Sequence, residues 1–321
     1  MQRVLVILAA IVLVTASLGV GALAANWPFW SRAWAWHAAD GGWPRALPGL
    51  HMVARGGGGM PLRFAPARAD LAQRATAANT HLLLRFRAGE ADAWLAPGAD
   101  AAAPIDGRGL TAAVLEPLWV QLETGEPGLL ERPVGAWLEQ WRQEPRGGLT
   151  PRALLDAIAA GIDEPPTNSP LNPFSARARL AAGPGFDRAA LLAFGREPGR
   201  DAATAQVLAI LASQVGGQPF ASLLQDLLWS RIAAHDARLP VDRRHGDAAA
   251  HCCMLAAAED WLRLGLHIGD SVPGNPARVI RTAGRTLVAG ASGAVLWVGE
   301  GSEPSGLEML LEPIQSEAAD P

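Results

Sequence analysis

Strand-forming segments lie only near the two ends of the body of this chain, with helix-forming sequence between them. Near the start, His81-Leu-Leu-Leu-Arg-Phe-Arg87 is strand-like, Ala88-Gly89-Glu90 is a turn, and Ala91-Asp-Ala-Trp-Leu95 returns as the second arm of a hairpin. Near the end, Arg285–Ala289, Ala294–Val298 and Leu307–Leu311 are three strand candidates separated by Gly-rich or Pro-containing turns. Between these groups the spacing is helical. Leu110–Glu123 is apolar, Val134, Leu138 and Trp141 share one face, and Thr150-Pro151 is an N-cap followed by proline at the first helical position. Arg188–Phe194, capped by Asp187, Ala202–Val215, Phe220–Ile232 and Ala256–Ile268 complete the helical middle. This order predicts an α+β domain over 81–313 in which N- and C-terminal strands share one antiparallel sheet, with helix 111–123 packed on it.

Ahead of that body stand two further segments. Val4 to Ala25 is an uncharged run behind Arg3, long enough to span a bilayer, which needs roughly 20 apolar residues. Its end, Ala22-Leu23-Ala24, also suits a signal-peptide cleavage site. Residues 1–25 are therefore a signal anchor or a signal peptide. The anchor is favoured by the length of the run and by Trp27, Trp30, Trp34 and Trp36, since tryptophan favours the membrane interface. Either reading puts the body outside the cytoplasm, on the periplasmic side of the inner membrane, anchored or secreted. Residues 26–80, with Gly56 to Gly59 and several prolines, read as an irregular lead-in containing a short helix near Ala67–Ala78; 314–321 reads as a flexible tail.

Composition limits the chemistry. The chain contains no lysine and no tyrosine, and all 27 basic side chains are arginine. A GC-rich genome accounts for the general depletion, yet the absence still excludes a Schiff-base lysine, a Walker lysine and a Ser–Lys nucleophile pair. A formal net charge of −4 gives no basic face for nucleic acid. The two cysteines, Cys252 and Cys253, are neighbours. A bridge between adjacent residues is strained, so they read as small buried hydrophobes.

Several phrases, in order and spacing, resemble the β-lactamase-related serine hydrolases, nearest to the class C β-lactamase-like and 6-aminohexanoate-oligomer hydrolase branch. They are Pro133-Val-Gly-Ala-Trp-Leu138, Thr150-Pro-Arg-Ala-Leu-Leu155, Gly217-Gln-Pro-Phe-Ala-Ser-Leu-Leu-Gln-Asp-Leu-Leu-Trp229, Asp242-Arg-Arg-His-Gly-Asp247, His251-Cys-Cys-Met254 and Asp260-Trp-Leu-Arg-Leu-Gly265. The resemblance implies a β-lactamase/transpeptidase-like fold. It also implies three catalytic constellations: Ser-x-x-Lys opening the first long helix, a Tyr-x-Asn or Ser-x-Asn loop, and a Lys-Thr-Gly or His-x-Gly strand.

This chain departs from all three. The serine position falls at Arg108 and the lysine position at Thr111, and no serine occurs between Ala96 and Thr167. The tyrosine loop is shortened at Pro198-Gly-Arg-Asp201. The third strand falls at Arg281-Thr-Ala-Gly284 or Gly290-Ala-Ser-Gly293. These losses imply a degenerate, catalytically inactive homologue that binds an envelope ligand or a protein partner. The alternative is a residual amide or ester hydrolase with non-standard residues, for which Ser175, with His235 or His245, is the candidate nucleophile. No cofactor is implied. His245, Asp247 and His251 beside Cys252 match no strong zinc pattern and read as a structural loop, so no metal is expected. Glu123 and Glu126 read as solvated turn residues, and Ser292 as a hairpin residue.

Overall fold

The computed structural model describes residues 51–77, 79–163, 186–241, 246–270, 277–282, 284–300 and 303–311, together with Ser17 and Val20. The apolar run 4–25, the Trp-rich stretch, Ser175, His245 and the tail lie outside the described residues.

The expected sheet is present. Strands β3 (Thr80–Arg87) and β4 (Glu90–Leu95) form a hairpin whose turn residues Ala88 and Gly89 both have positive φ, 50° and 82°, as a tight two-residue turn requires. β3 then pairs antiparallel with β10 (Gly293–Gly299), β10 with β9 (Arg285–Gly290), and β9 with β8 (Arg278–Thr282). With β2 (Ala65–Pro66) on the edge, the order is β2-β4-β3-β10-β9-β8. β3 and β10, more than 200 residues apart in sequence, thus meet in the centre of one sheet.

Both faces of that sheet are covered, which is why β10 is buried along its whole length. Alternate residues divide between two cores: Leu82, Leu84, Ala294, Leu296 and Val298 face the main core, while Leu83, Val295 and Trp297 face a smaller one. Helix α1 (Ala69–Ala77) closes the smaller core with Leu71 and Ala75. Leu307, Leu310 and Leu311 complete it from a 3-10 turn, Leu307–Leu311. That segment was expected as a strand. Its leucines recur at i, i+3 and i+4, so a helical turn puts all three on one face, which a strand cannot do. The strands of this sheet missing from the strand expectation are β2 and β8, the second with two arginines among its five residues.

The main core lies under the helical layer. Of the helices, α7 (Ala258–Asp270) packs on β9 and β10. The expectation that helix 111–123 covers the sheet is corrected: Arg108–Val114 is a 3-10 turn, and α2 (Leu115–Gly125) packs chiefly on α5 (Ala202–Gly216). Trp119 fixes that contact by donating its indole N–H to the Leu208 carbonyl at 3.3 Å. α5 is buried along most of its length, is capped by Asp201 and ends at Gly217 with φ 65°. α3 (Pro151–Ile158) has the expected Thr150 cap, α4 is Phe186–Ala193, and α6 (Phe220–Leu224) runs on through a π turn to Trp229. Val134–Gln143 is not one helix but separate 3-10 turns, because Gly147 packs against the Trp141 carbonyl and bends the segment upon itself.

Residues 51–80 are not merely a lead-in. β1 (His51–Ala54) joins a second sheet, β1-β6-β7-β5, with β6 (Ala237–Pro240), β7 (Leu255–Ala257) and β5 (Pro104–Asp106). The glycines that follow are tolerated for a reason: a Cβ on Gly56, Gly57 or Gly59 would stand about 2 Å from carbonyl oxygens of Ala234, Ser230 or Ala233. The run lies backbone to backbone on the 230–235 turn. Among the described residues no single helix is long and apolar enough to cross a membrane.

Candidate active site

β5 delivers the chain to the position where a nucleophile is expected. Gly107 donates its N–H to the Met254 carbonyl, and its missing Cβ leaves room for the Trp261 ring, which would otherwise lie 2.3 Å away. Arg108 follows with φ 48°, an uncommon conformation for a residue with a side chain. The turn is held there from three sides. Asp106 Oδ1 accepts the Arg108 N–H at 2.8 Å, and the Arg108 carbonyl accepts from Cys253 N–H at 3.1 Å and from the Thr111 hydroxyl at 2.7 Å. Thr111 is fully buried, and its oxygen also accepts the Met254 N–H at 3.0 Å. The hydroxyl is thus engaged as donor and as acceptor with backbone groups.

Of the other two expected motif positions, only the third strand reaches the same turn. A Cβ on Gly109 would meet Thr282 Oγ1 at 2.7 Å, and the Gly284 Cα region borders the Arg108 guanidinium. β8 and its turn therefore stand where the third constellation is expected. Gly290-Ala-Ser-Gly293 is instead the β9–β10 turn, and Ser292 donates its hydroxyl to the Leu311 carbonyl. The stretch after Pro198 forms no loop toward the site. Thr204 Oγ1 accepts the Gly199 N–H, and Asp201 caps α5. Arg200 reaches the carbonyls of Ala160 and Gly161 and pairs with Asp163 at 3.2 Å.

Residues 160–163 thereby stand between the three positions. On the free side of edge strand β8, the Arg281 N–H donates to the Ala160 carbonyl at 3.0 Å, and Arg278 reaches the Ala159 carbonyl. The chain's own loop occupies a strand-edge group that an extended ligand would otherwise use.

The cysteines correct the sequence reading. Cys252 and Cys253, both buried, are disulfide-bonded to each other. Cys253 has φ 72°, and this left-handed backbone turns the chain so that two adjacent side chains can meet.

A second polar cluster escaped the sequence reading. His235 Nδ1 lies 3.1 Å from Asp260 Oδ1 and 3.3 Å from Glu259 Oε1, and the donor atoms of the three residues lie within 4.8 Å of one another. Such a set could hold a metal ion, but Arg263 supplies the cation: its guanidinium reaches Asp260 Oδ1 at 2.6 Å and the Met60 carbonyl at 2.6 Å. Glu259 accepts the Leu62 N–H. The cluster fastens residues 60–62 to α7. Adjacent acids in sequence, 24 residues after the histidine, gave the only available signal. Within the residues weighed for a metal, His251 Nδ1 meets Gln206 Oε1 and Asp247 accepts the Asp187 N–H. Glu123 is more than a solvated turn residue: its carboxylate accepts the Gly128 and Leu130 N–H groups, which hold its pKa below the ordinary value. Glu126 pairs with Arg132.

No protein-family model matches the chain, and no curated protein matches it in sequence. Solved structures do match. The Bacillus anthracis protein assigned as a 6-aminohexanoate-dimer hydrolase superposes with a TM-score of 0.62 at 14% identity, covering 81% of this chain and 87% of that one. FmtA of Staphylococcus aureus superposes with a TM-score of 0.52 at 8% identity, covering 75% and 87%. The chain has the α+β, β-lactamase/transpeptidase-like fold.

Proposed function

We propose that this chain is an exported, membrane-associated protein of the β-lactamase fold that binds an envelope ligand or a protein partner and does not cleave it. The observation that carries the reading is Thr111. A serine hydrolase of this kind needs a base one turn after its nucleophile. Here that position holds a buried hydroxyl whose one proton is already donated to the Arg108 carbonyl and whose oxygen accepts the Met254 N–H. Arg108 offers no hydroxyl or thiol to act as a nucleophile. The occupied edge of β8 supports the same reading.

The competing reading is residual amide or ester hydrolysis. Among the described residues no serine hydroxyl bonds to His235, whose partners are Asp260, Glu259 and Arg263. The test is covalent labelling of the intact chain with a fluorophosphonate and with a penicillin, read by mass spectrometry. No adduct is expected; a stoichiometric adduct on Ser175 or Thr111 replaces binding with hydrolysis. Cell fractionation with N-terminal sequencing tests the export of the body behind residues 4–25. A full-length soluble cytoplasmic protein would refute that part.

A further inference from the structure

A second site stands at the other end of β10, six residues or roughly 20 Å along the strand from the Gly284–Gly299 contact beside Arg108. There the β3–β4 hairpin, β2 and the residues before it enclose an open groove of about 560 Å³. Its lining is basic: Arg63, Arg68, Arg85 and Arg87. Cross-strand register explains the arrangement. Arg85 is opposite Asp92 and Arg87 is opposite Glu90, so all four side chains emerge on one face of the sheet.

The charges do not cancel. Buried Arg85 takes both oxygens of Asp92, at 2.9 and 2.7 Å, and Asp70 at 2.6 Å. Arg68 takes Glu90. Asp70, Asp92 and Glu90 are thereby spent. Among the described residues no carboxylate pairs with Arg63 or Arg87, and neither side chain makes a hydrogen bond. On β10, the residue opposite Arg87 is Gly293, which offers no side chain to cover it. Among the described residues two guanidinium groups, Arg63 and Arg87, therefore line one groove without an ion-pair partner of their own, Glu90 opposite Arg87 being paired with Arg68, over the buried Arg85 ion pairs.

We propose that this groove binds the phosphate group of a phosphate ester, with Arg63 and Arg87 as its two clamps. Each guanidinium presents a fork of paired N–H donors, which a carboxylate satisfies with its two oxygens. A phosphate group has oxygens enough for two forks. The groove is larger than a phosphate group, which leaves room for the organic part of the ester. That ester is either a lipid headgroup or a soluble metabolite, and the chemistry of recognition is the same.

The experiment is calorimetric titration of the intact chain, held in a zwitterionic amphipol without detergent, with glycerol phosphate and with short-chain phosphatidic acid, both of which carry a monoester phosphate. Saturable binding is expected, weakened about tenfold or more in Arg63→Gln and in Arg87→Gln, because each removes a charge-assisted pair. Arg238→Gln, an exposed arginine on β6 in the other sheet, should bind as the unmodified chain does. Arg87→Lys should bind between the two, which separates loss of charge from loss of fold. Binding of both probes assigns a soluble ester; binding of the lipid alone assigns a headgroup. Failure of both probes to bind saturably, or equal affinity in Arg87→Gln and the unmodified chain, overturns the proposal.

Discussion

Gly161 passes so close to Arg281 that a Cβ at position 161 would stand 2.0 Å from the Arg281 carbonyl oxygen. Its φ of 100° is also one that side chains disfavour. This contact lays the 160–163 loop on the edge of β8. Gly161→Ala should therefore destabilise the chain by roughly 2–4 kcal/mol, combining backbone strain with overpacking. Gly125→Ala, at a helix end with open space around it, should be neutral or slightly stabilising. Denaturant unfolding of the two variants decides; equal midpoints would mean that the loop does not rest on β8.

Thr111 should behave as a structural pin. Thr111→Val leaves the Arg108 carbonyl short of a donor and the Met254 N–H without an acceptor, and should cost about 1–3 kcal/mol. Thr111→Ser keeps the hydroxyl and should recover most of that loss. A Thr111→Val variant as stable as the unmodified chain would remove the pin.

Restoring the missing pair should not restore chemistry. Arg108→Ser with Thr111→Lys should remain unlabelled by fluorophosphonates. The stretch after Gly199 leads straight into the α5 cap and offers no second proton relay, and residues acting as one unit do not contribute additively. The same substitution buries a lysine where Thr111 is fully enclosed, so a fall in melting temperature should accompany it. Rapid labelling of the double variant at position 108 would contradict the expectation.

The Arg85–Asp92 pair should be costly to break. Both side chains are buried, and Asp92→Ala would leave the guanidinium with Asp70 alone, a loss of about 3–5 kcal/mol. Replacing both partners by apolar residues of similar volume should cost less than the single change. A double-mutant cycle in urea measures the difference.

Two groups set opposite ends of the acid response. Burial depresses the His267 pKa below its ordinary 6.5, with Asp270 opposing and Arg231 assisting. The unfolded chain therefore takes up that proton first. The contribution is intact above 6.5 and is lost as pH falls from there through the folded pKa. At Asp70, partial burial opposes ionisation, but the hydrogen bond and charge of Arg85 outweigh it and lower the pKa from 3.8. Its contribution is present above 3.8 and is lost as pH falls through the folded value. His267→Phe should flatten the first decline and leave the second. An unchanged profile above pH 4 would dismiss His267.

The hairpin 81–95, strands 285–298 and the helix capped at Thr150 could be read directly, because alternation, turn chemistry and caps are local, whereas Asp187, expected as a cap, lies inside the first turn of α4 and the cap of α5 at Asp201 was not foreseen. Leu307–Leu311 could not: five apolar-rich residues suit a strand or a helical turn, and the exposed edge of the smaller core selected the turn. The Gly56–Gly59 run reads as loose when nothing shows what lies against it.

What the sequence alone determined is negative chemistry and coarse order. Without lysine or tyrosine, and with no serine from Ala96 to Thr167, the familiar catalytic set cannot be assembled at Arg108 and Thr111 in any register. Only the tertiary structure decided what fills those positions. Thr111 is a pin because Met254, 143 residues away, brings its N–H to the hydroxyl. β8 has an occupied edge because Ala160 reaches Arg281. Arg63 and Arg87 line one groove without ion-pair partners among the described residues because Arg68 takes Glu90 and Arg85 takes Asp92 and Asp70. Each depends on contacts between segments distant in sequence, and no local pattern encodes such distances.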